Sequence, residues 1–142
     1  MDDKKLLNLF TDLVHAHSAY MSRQLAALQL SEGQGGVISA LGRLGSMSQS
    51  ELAQARNVTP ATISIMLGRM ERDGLVARDL QNGFGRANLV RLTEKGQKTY
   101  EKLDALMDRE PEVIFAGLSE EEKSRAAEVF RCLIGNVLHA GE

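Results

Sequence analysis

A mainly α-helical fold carrying one small β-hairpin is what this sequence predicts, and three observations lead there. Apolar residues recur at helical spacing through most of the chain. After Gly74 the period shortens over two brief runs on either side of Asn82-Gly83-Phe84-Gly85. Serine or threonine stands three residues ahead of Glu or Gln, or directly ahead of Pro, where new helices should begin. With 142 residues and 43% hydrophobic content the chain has material for one core, so a single domain over residues 1–142 is expected.

Residues 4–29 place Leu6, Phe10, Leu13, His17, Tyr20 and Leu28 near helical spacing, with Leu9, Val14, Met21 and Leu25 widening the stripe. This predicts one long amphipathic helix. Ser31 and Gln34 cap a second helix through Val37, Ile38, Leu41 and Leu44 that stops near Gly45. Ser48 and Glu51 have capping-box spacing and open a short helix through Leu52 and Ala53. Thr59-Pro60 sets an N-cap before a proline at the first helical position. The helix it starts runs through Ile63, Met66, Leu67 and Met70 to close near Asp73-Gly74.

Leu75-Val76-Ala77-Arg78 and Leu89-Val90-Arg91-Leu92 read as the two strands of the hairpin. Thr93 caps a fifth helix with Tyr100, Leu103, Leu106 and Met107 on its apolar side, which Pro111 interrupts or ends. Ser119 and Glu122 open the last helix, whose stripe is Ala126, Val129, Phe130, Leu133, Ile134, Val137 and Leu138.

A short capped helix, a tight turn at Asn57-Val58, a second helix and then a hairpin make a winged helix-turn-helix. The lobe spans residues 30–96, and the helices of 1–29 and 97–142 are expected to serve dimerisation, because their broad stripes exceed what a small monomer can cover. The second helix of the motif fits the major groove of duplex DNA. Small side chains near its start, at Thr59, Pro60, Ala61, Thr62 and Ser64, permit close approach to base edges, although Thr59 and Thr62 serve equally well as caps. Arg69 and Arg72 lie where they reach phosphates. Ser48 and Gln49, at the start of the preceding helix, and Arg86 and Asn88, in the hairpin, complete the expected DNA-binding set. Arg86 is the first choice for a minor-groove contact, whereas Arg78 and Arg91 fall on strands and are expected to brace the hairpin or touch phosphate.

Charge is distributed accordingly. The net charge is −2, yet between Leu41 and Lys98 nine basic residues face five acidic ones, a local +4 flanked by −6. That acidic total leaves one alternative, a winged-helix protein-interaction module without specific DNA binding.

Ser50-Glu51-Leu52-Ala53, Thr59-Pro60-Ala61-Thr62-Ile63-Ser64, Arg69 through Val76, and Arg86 through Gly96 resemble the MarR family of regulators, strongest over residues 48–96. The resemblance implies an obligate homodimer that reads a pseudo-palindromic operator in double-stranded DNA. It also implies a repressor released by a small aromatic or anionic effector. Phe84 stands where that family commonly has a wing aspartate, and Ile65 where an arginine is frequent in the recognition helix.

Other chemistry finds little support. His15 and His17 project roughly 200° apart on a helix and do not share a metal. Together with Tyr20 they are candidates to line an effector cleft, the other reading being a dimer seam. The single cysteine, Cys132, sits among Phe130, Leu133 and Ile134, where inert packing is expected, and no metal-ligand spacing occurs. Gly96-Gln97-Lys98-Thr99 lacks a phosphate-loop lead-in, and Gly33-Gln34-Gly35-Gly36 fails dinucleotide spacing. An enzyme is not expected, nor is a cofactor. No apolar stretch approaches the roughly 18 residues of a membrane span, and Met-Asp-Asp-Lys-Lys is not a signal core, so a cytoplasmic protein is expected.

Overall fold

The computed structural model describes residues 1–79 and 89–141. Six helices and three strands follow in the order α1 (Asp3–Ala26), α2 (Glu32–Leu44), β1 (Met47–Ser48), α3 (Gln49–Arg56), α4 (Pro60–Arg72), β2 (Val76–Asp79), β3 (Leu89–Leu92), α5 (Glu94–Ile114) and α6 (Glu120–Leu138) among the described residues. Two compact units divide the chain, Met1–Leu106 and Met107–Glu142.

Within the first unit every helix start is made by a side chain the sequence supplies. The Asp2 carboxylate accepts from the Lys5 N–H at 2.8 Å, and Ser31 and Gln34 satisfy each other's backbone N–H groups in a complete capping box. The Ser48 and Thr59 hydroxyls accept from Glu51 and Thr62 N–H, and Thr93 Oγ1 accepts from the Gly96 N–H at 3.1 Å. α1 closes three residues earlier than its apolar stripe suggests. Gln29 turns left-handed at φ 59, which lets the Leu30 N–H return to the Leu25 carbonyl at 3.0 Å and carries Leu30 into the core.

The core gathers Val37, Ile38 and Leu41 from α2, Leu52 and Ala53 from α3, Ile63, Leu67 and Met70 from α4, and Val76 and Val90 from β2 and β3. Leu25 of α1 and Leu103 of α5 close it at the edges. α2 carries glycines where neighbours press closest. A Cβ on Gly42 would overlap the Tyr100 ring, and one on Gly33 would stand 2.7 Å from Met66 Cε. These glycines let α4 and α5 pack closely against α2.

The sheet is antiparallel with strand order β1-β3-β2. β2 and β3 pair Val76 with Leu92 and Asp79 with Leu89, as the hairpin reading requires. β1 is an addition: Met47 and Ser48 pair with Val90 and Leu89. Two residues give no period to read, so only the fold reveals that strand.

In the second unit α6 begins with a complete capping box of Ser119 and Glu122. The backbone N–H of Ser119, bonded to the Glu122 carboxylate at 2.8 Å, holds that carboxyl below its ordinary pKa. Pro111 does not end α5. The helix passes through it to Ile114, because the residues after the proline still find partners, with the Phe115 N–H on the Pro111 carbonyl at 3.0 Å. No residue of Met107–Ala140 falls in the buried class. The stripe Val129, Phe130, Leu133, Ile134, Val137 and Leu138 is exposed on the single chain. Cys132 is exposed too, with the Asn136 amide 3.9 Å from its Sγ, so the packed setting expected for the thiol is not found within one chain.

Candidate nucleic-acid interface

The turn between α3 and α4 is set by Asn57, which takes the left-handed conformation (φ 52, ψ 47), while the Val58 N–H returns to the Ala53 carbonyl at 3.0 Å. Asn tolerates that backbone better than most residues, so the reversal costs little. Thr59 then starts α4. Its Oγ1 accepts from the Thr62 N–H at 3.2 Å and shares a hydrogen bond of 2.8 Å with the Thr62 hydroxyl. Both threonines therefore cap the helix while remaining on the surface.

α4 is divided sharply between its two sides. Ile63, Leu67 and Met70 are each 0% exposed and fix the helix on α3, whereas Thr59, Pro60, Ala61, Thr62, Arg69 and Arg72 are exposed and Ser64 is half-buried. A shallow depression of about 210 Å³ lies between this outer face and the start of α2, lined by Ser31, Gln34, Thr62, Ile65, Met66 and Arg69.

The cations near α4 fall into two groups. Arg78 on β2 reaches Glu71 at 3.2 Å and Gln49 Oε1 at 3.4 Å, tying together the end of α4, the start of α3 and the hairpin. That guanidinium holds the Glu71 carboxyl below its ordinary pKa. Arg91 pairs with Asp79 across the strands at 3.2 Å, and the Lys95 ammonium caps α4 by donating to the Asp73 carbonyl at 2.7 Å. These groups brace the hairpin and the helix end. Arg69 and Arg72, by contrast, are exposed on the outer face and form no ion pair or hydrogen bond among the described residues.

The remaining expected residues are scattered. Ser48 is only 4% exposed, because its hydroxyl caps α3 and its backbone sits in the sheet beside Leu89; it is a cap rather than a surface contact. Gln49 is half-buried against Arg78. Arg86, Asn88 and Phe84 lie outside the described residues. His15 and His17 are exposed on α1, and Tyr20 is half-buried one turn on. Among the described residues no group of His, Cys, Asp and Glu is placed to hold a metal ion, and no helix is long and apolar enough to cross a membrane. The Gln49–Arg78–Glu71 linkage, which joins residues 29 and 7 positions apart, has no signal in the sequence, and Ile65, at the position where an arginine is frequent in the recognition helix, is exposed.

A buried-face helix crossing a second short helix, followed by an antiparallel hairpin, defines a winged helix-turn-helix domain. Comparison with known proteins agrees. Residues 28–87 match the model of the MarR family. The chain is 30% identical over 113 residues to the HTH-type transcriptional regulator YwoH of Bacillus subtilis, covering 80% of this chain and 82% of that protein. A MarR-like transcription regulator from Bacillus cereus superposes with a TM-score of 0.81 at 24% identity, over 94% of this chain and 96% of that one. The DNA complex of MepR from Staphylococcus aureus does so with a TM-score of 0.75 at 23% identity, over 92% and 96%. The chain belongs to the MarR family of transcriptional regulators.

Proposed function

We propose that the protein is a homodimeric regulator that binds double-stranded DNA in a sequence-specific manner, laying α4 in the major groove. The single observation behind this reading is the outer face of α4, with two arginines unpaired among the described residues and a row of small side chains opposite a face buried in the core. Arg69 and Arg72 supply phosphate attraction, and Thr59, Pro60, Ala61, Thr62 and Ser64 allow the helix to come close to base edges. Gln49, Arg86 and Asn88 belong to the same proposed surface. The acidic total charge does not oppose it, since the acidic excess lies in the flanks and not in residues 41–98.

The homodimer is supported by the exposed stripes of α1 and α6. Leu6, Leu9, Phe10, Leu13 and Val14 on one, and Val129 through Leu138 on the other, are too large an apolar surface for a stable isolated chain. Two copies of α4 related by a two-fold axis then meet half-sites about one turn, roughly 10 base pairs, apart. Repression relieved by a small aromatic or anionic effector, with His15, His17 and Tyr20 as its lining, completes the proposed mechanism. The test is to retain sequences from a random duplex pool on the purified protein at two salt concentrations. A pseudo-palindrome with that spacing supports the reading, and binding without enrichment that vanishes with salt refutes it.

A further inference from the structure

Ile65 is 62% exposed, although it lies in the middle of a helix whose other large apolar side chains are buried or half-buried. At 3.6 residues per turn it projects about 200° from Ile63, within roughly 20° of the point opposite the centre of the buried Ile63–Leu67–Met70 face. The same outward line carries Ala61 one turn before it and Gly68 and Arg72 in the turns after. Among the described residues a Cβ on Gly68 would meet only the Arg78 guanidinium, at 3.7 Å. Ile65 is thus the projecting apolar tip of α4, flanked by small residues that do not shield it and by Arg69 and Arg72, both exposed.

Nothing in the core holds a β-branched side chain there, and hydration makes it unfavourable on a free surface. Two guanidinium groups, unpaired among the described residues, stand beside it and favour a polyanionic partner. A polyanion with an apolar group recessed among polar edges fits both, and in the major groove that group is the 5-methyl of thymine. We infer that Ile65 is a specificity-determining residue of the proposed operator contact, reading a thymine methyl in each half-site. This rests on the DNA-binding reading above.

The test replaces each thymine of the selected duplex in turn by deoxyuridine, which removes the methyl and leaves every hydrogen-bonding edge intact. For the full-length protein, one symmetry-related position should weaken binding about fourfold when changed in one half-site and about fifteenfold in both, the effect of about one buried methyl each. In Ile65→Ala, whose shorter side chain withdraws most of that contact, the same replacement should have a clearly smaller effect. An enriched duplex indifferent to deoxyuridine at every position, or one equally sensitive in Ile65→Ala, overturns the methyl contact alone. Failure to enrich any duplex removes the operator, and the methyl contact with it.

Discussion

Gly96 is the most constrained position at the joint between the sheet and α5, and replacing it with alanine should destabilise the protein despite alanine's better helix propensity. A Cβ there would overlap the Leu75 carbonyl oxygen, and would stand 3.0 Å from the Leu75 carbonyl carbon and 3.2 Å from Leu92 Cδ2. The carbonyl has little freedom to turn aside, because it accepts the Thr93 N–H at 3.1 Å, and the Thr93 hydroxyl in turn bonds the Gly74 carbonyl. Overpacking of this kind costs about 1–3 kcal/mol, and loss of the backbone hydrogen bond about 1 kcal/mol more. Alanine returns about 1 kcal/mol of helix propensity, leaving a net loss of about 1–3 kcal/mol. With a urea slope of about 2 kcal/mol per molar, the midpoint should fall by about 1 M, measured at fixed protein concentration because a dimer's stability depends on it. Gly135→Ala is the control: no neighbour lies within 4 Å of its Cβ site, and α6 should gain up to about 1 kcal/mol. A Gly96→Ala midpoint at or above that of the parent would refute the reasoning.

The other predictions concern charge and assembly. Arg69→Ala and Arg72→Ala should each weaken binding to all duplexes alike and lower the slope of log K against log salt by about two units per dimer, read by titration across salt concentrations. The Glu71 carboxyl is depressed by its hydrogen bond from Arg78, so the stabilisation it provides is present above the unfolded carboxylate pKa and is lost as pH falls through the folded one. Arg78→Ala should accordingly flatten the pH dependence of stability across the acidic carboxylate range, followed by thermal melting. Ser119→Ala should cost about 1 kcal/mol by removing the α6 cap, seen in urea unfolding. Leu133→Asp should shift the sedimentation coefficient towards the monomer by setting a charge in the exposed α6 stripe.

Much of this fold was readable because its signals are local. Ser31 with Gln34, Thr59 before Pro60, and Ser119 with Glu122 mark helix starts by bonds that span three residues, and α4's buried face follows from its period alone. What failed depends on distant contacts. β1 exists only because Val90 and Leu89 lie beside Met47 and Ser48, and the same pairing buries Ser48, so the residue keeps the capping role its spacing with Glu51 indicated but not the expected surface contact. Arg78 and Arg91 were foreseen as hairpin supports, but their partners Glu71, Gln49 and Asp79 come from the folded arrangement. Pro111 misled because a proline one turn from a helix end removes a single bond without stopping the helix. The exposure of Ile65 follows from the helical period once α4 is placed, and agrees with its absence from the buried Ile63, Leu67 and Met70 face.

Methylation by dimethyl sulfate shows whether α4 occupies the major groove. The reagent attacks guanine N7, which opens to the major groove, and adenine N3, which opens to the minor groove. On the selected duplex, guanine N7 positions should be protected in two patches about one turn apart on the same face of the DNA, with protection reduced together in Thr62→Val and Arg69→Ala. Guanine N7 positions that remain fully reactive while the protein is bound would contradict it.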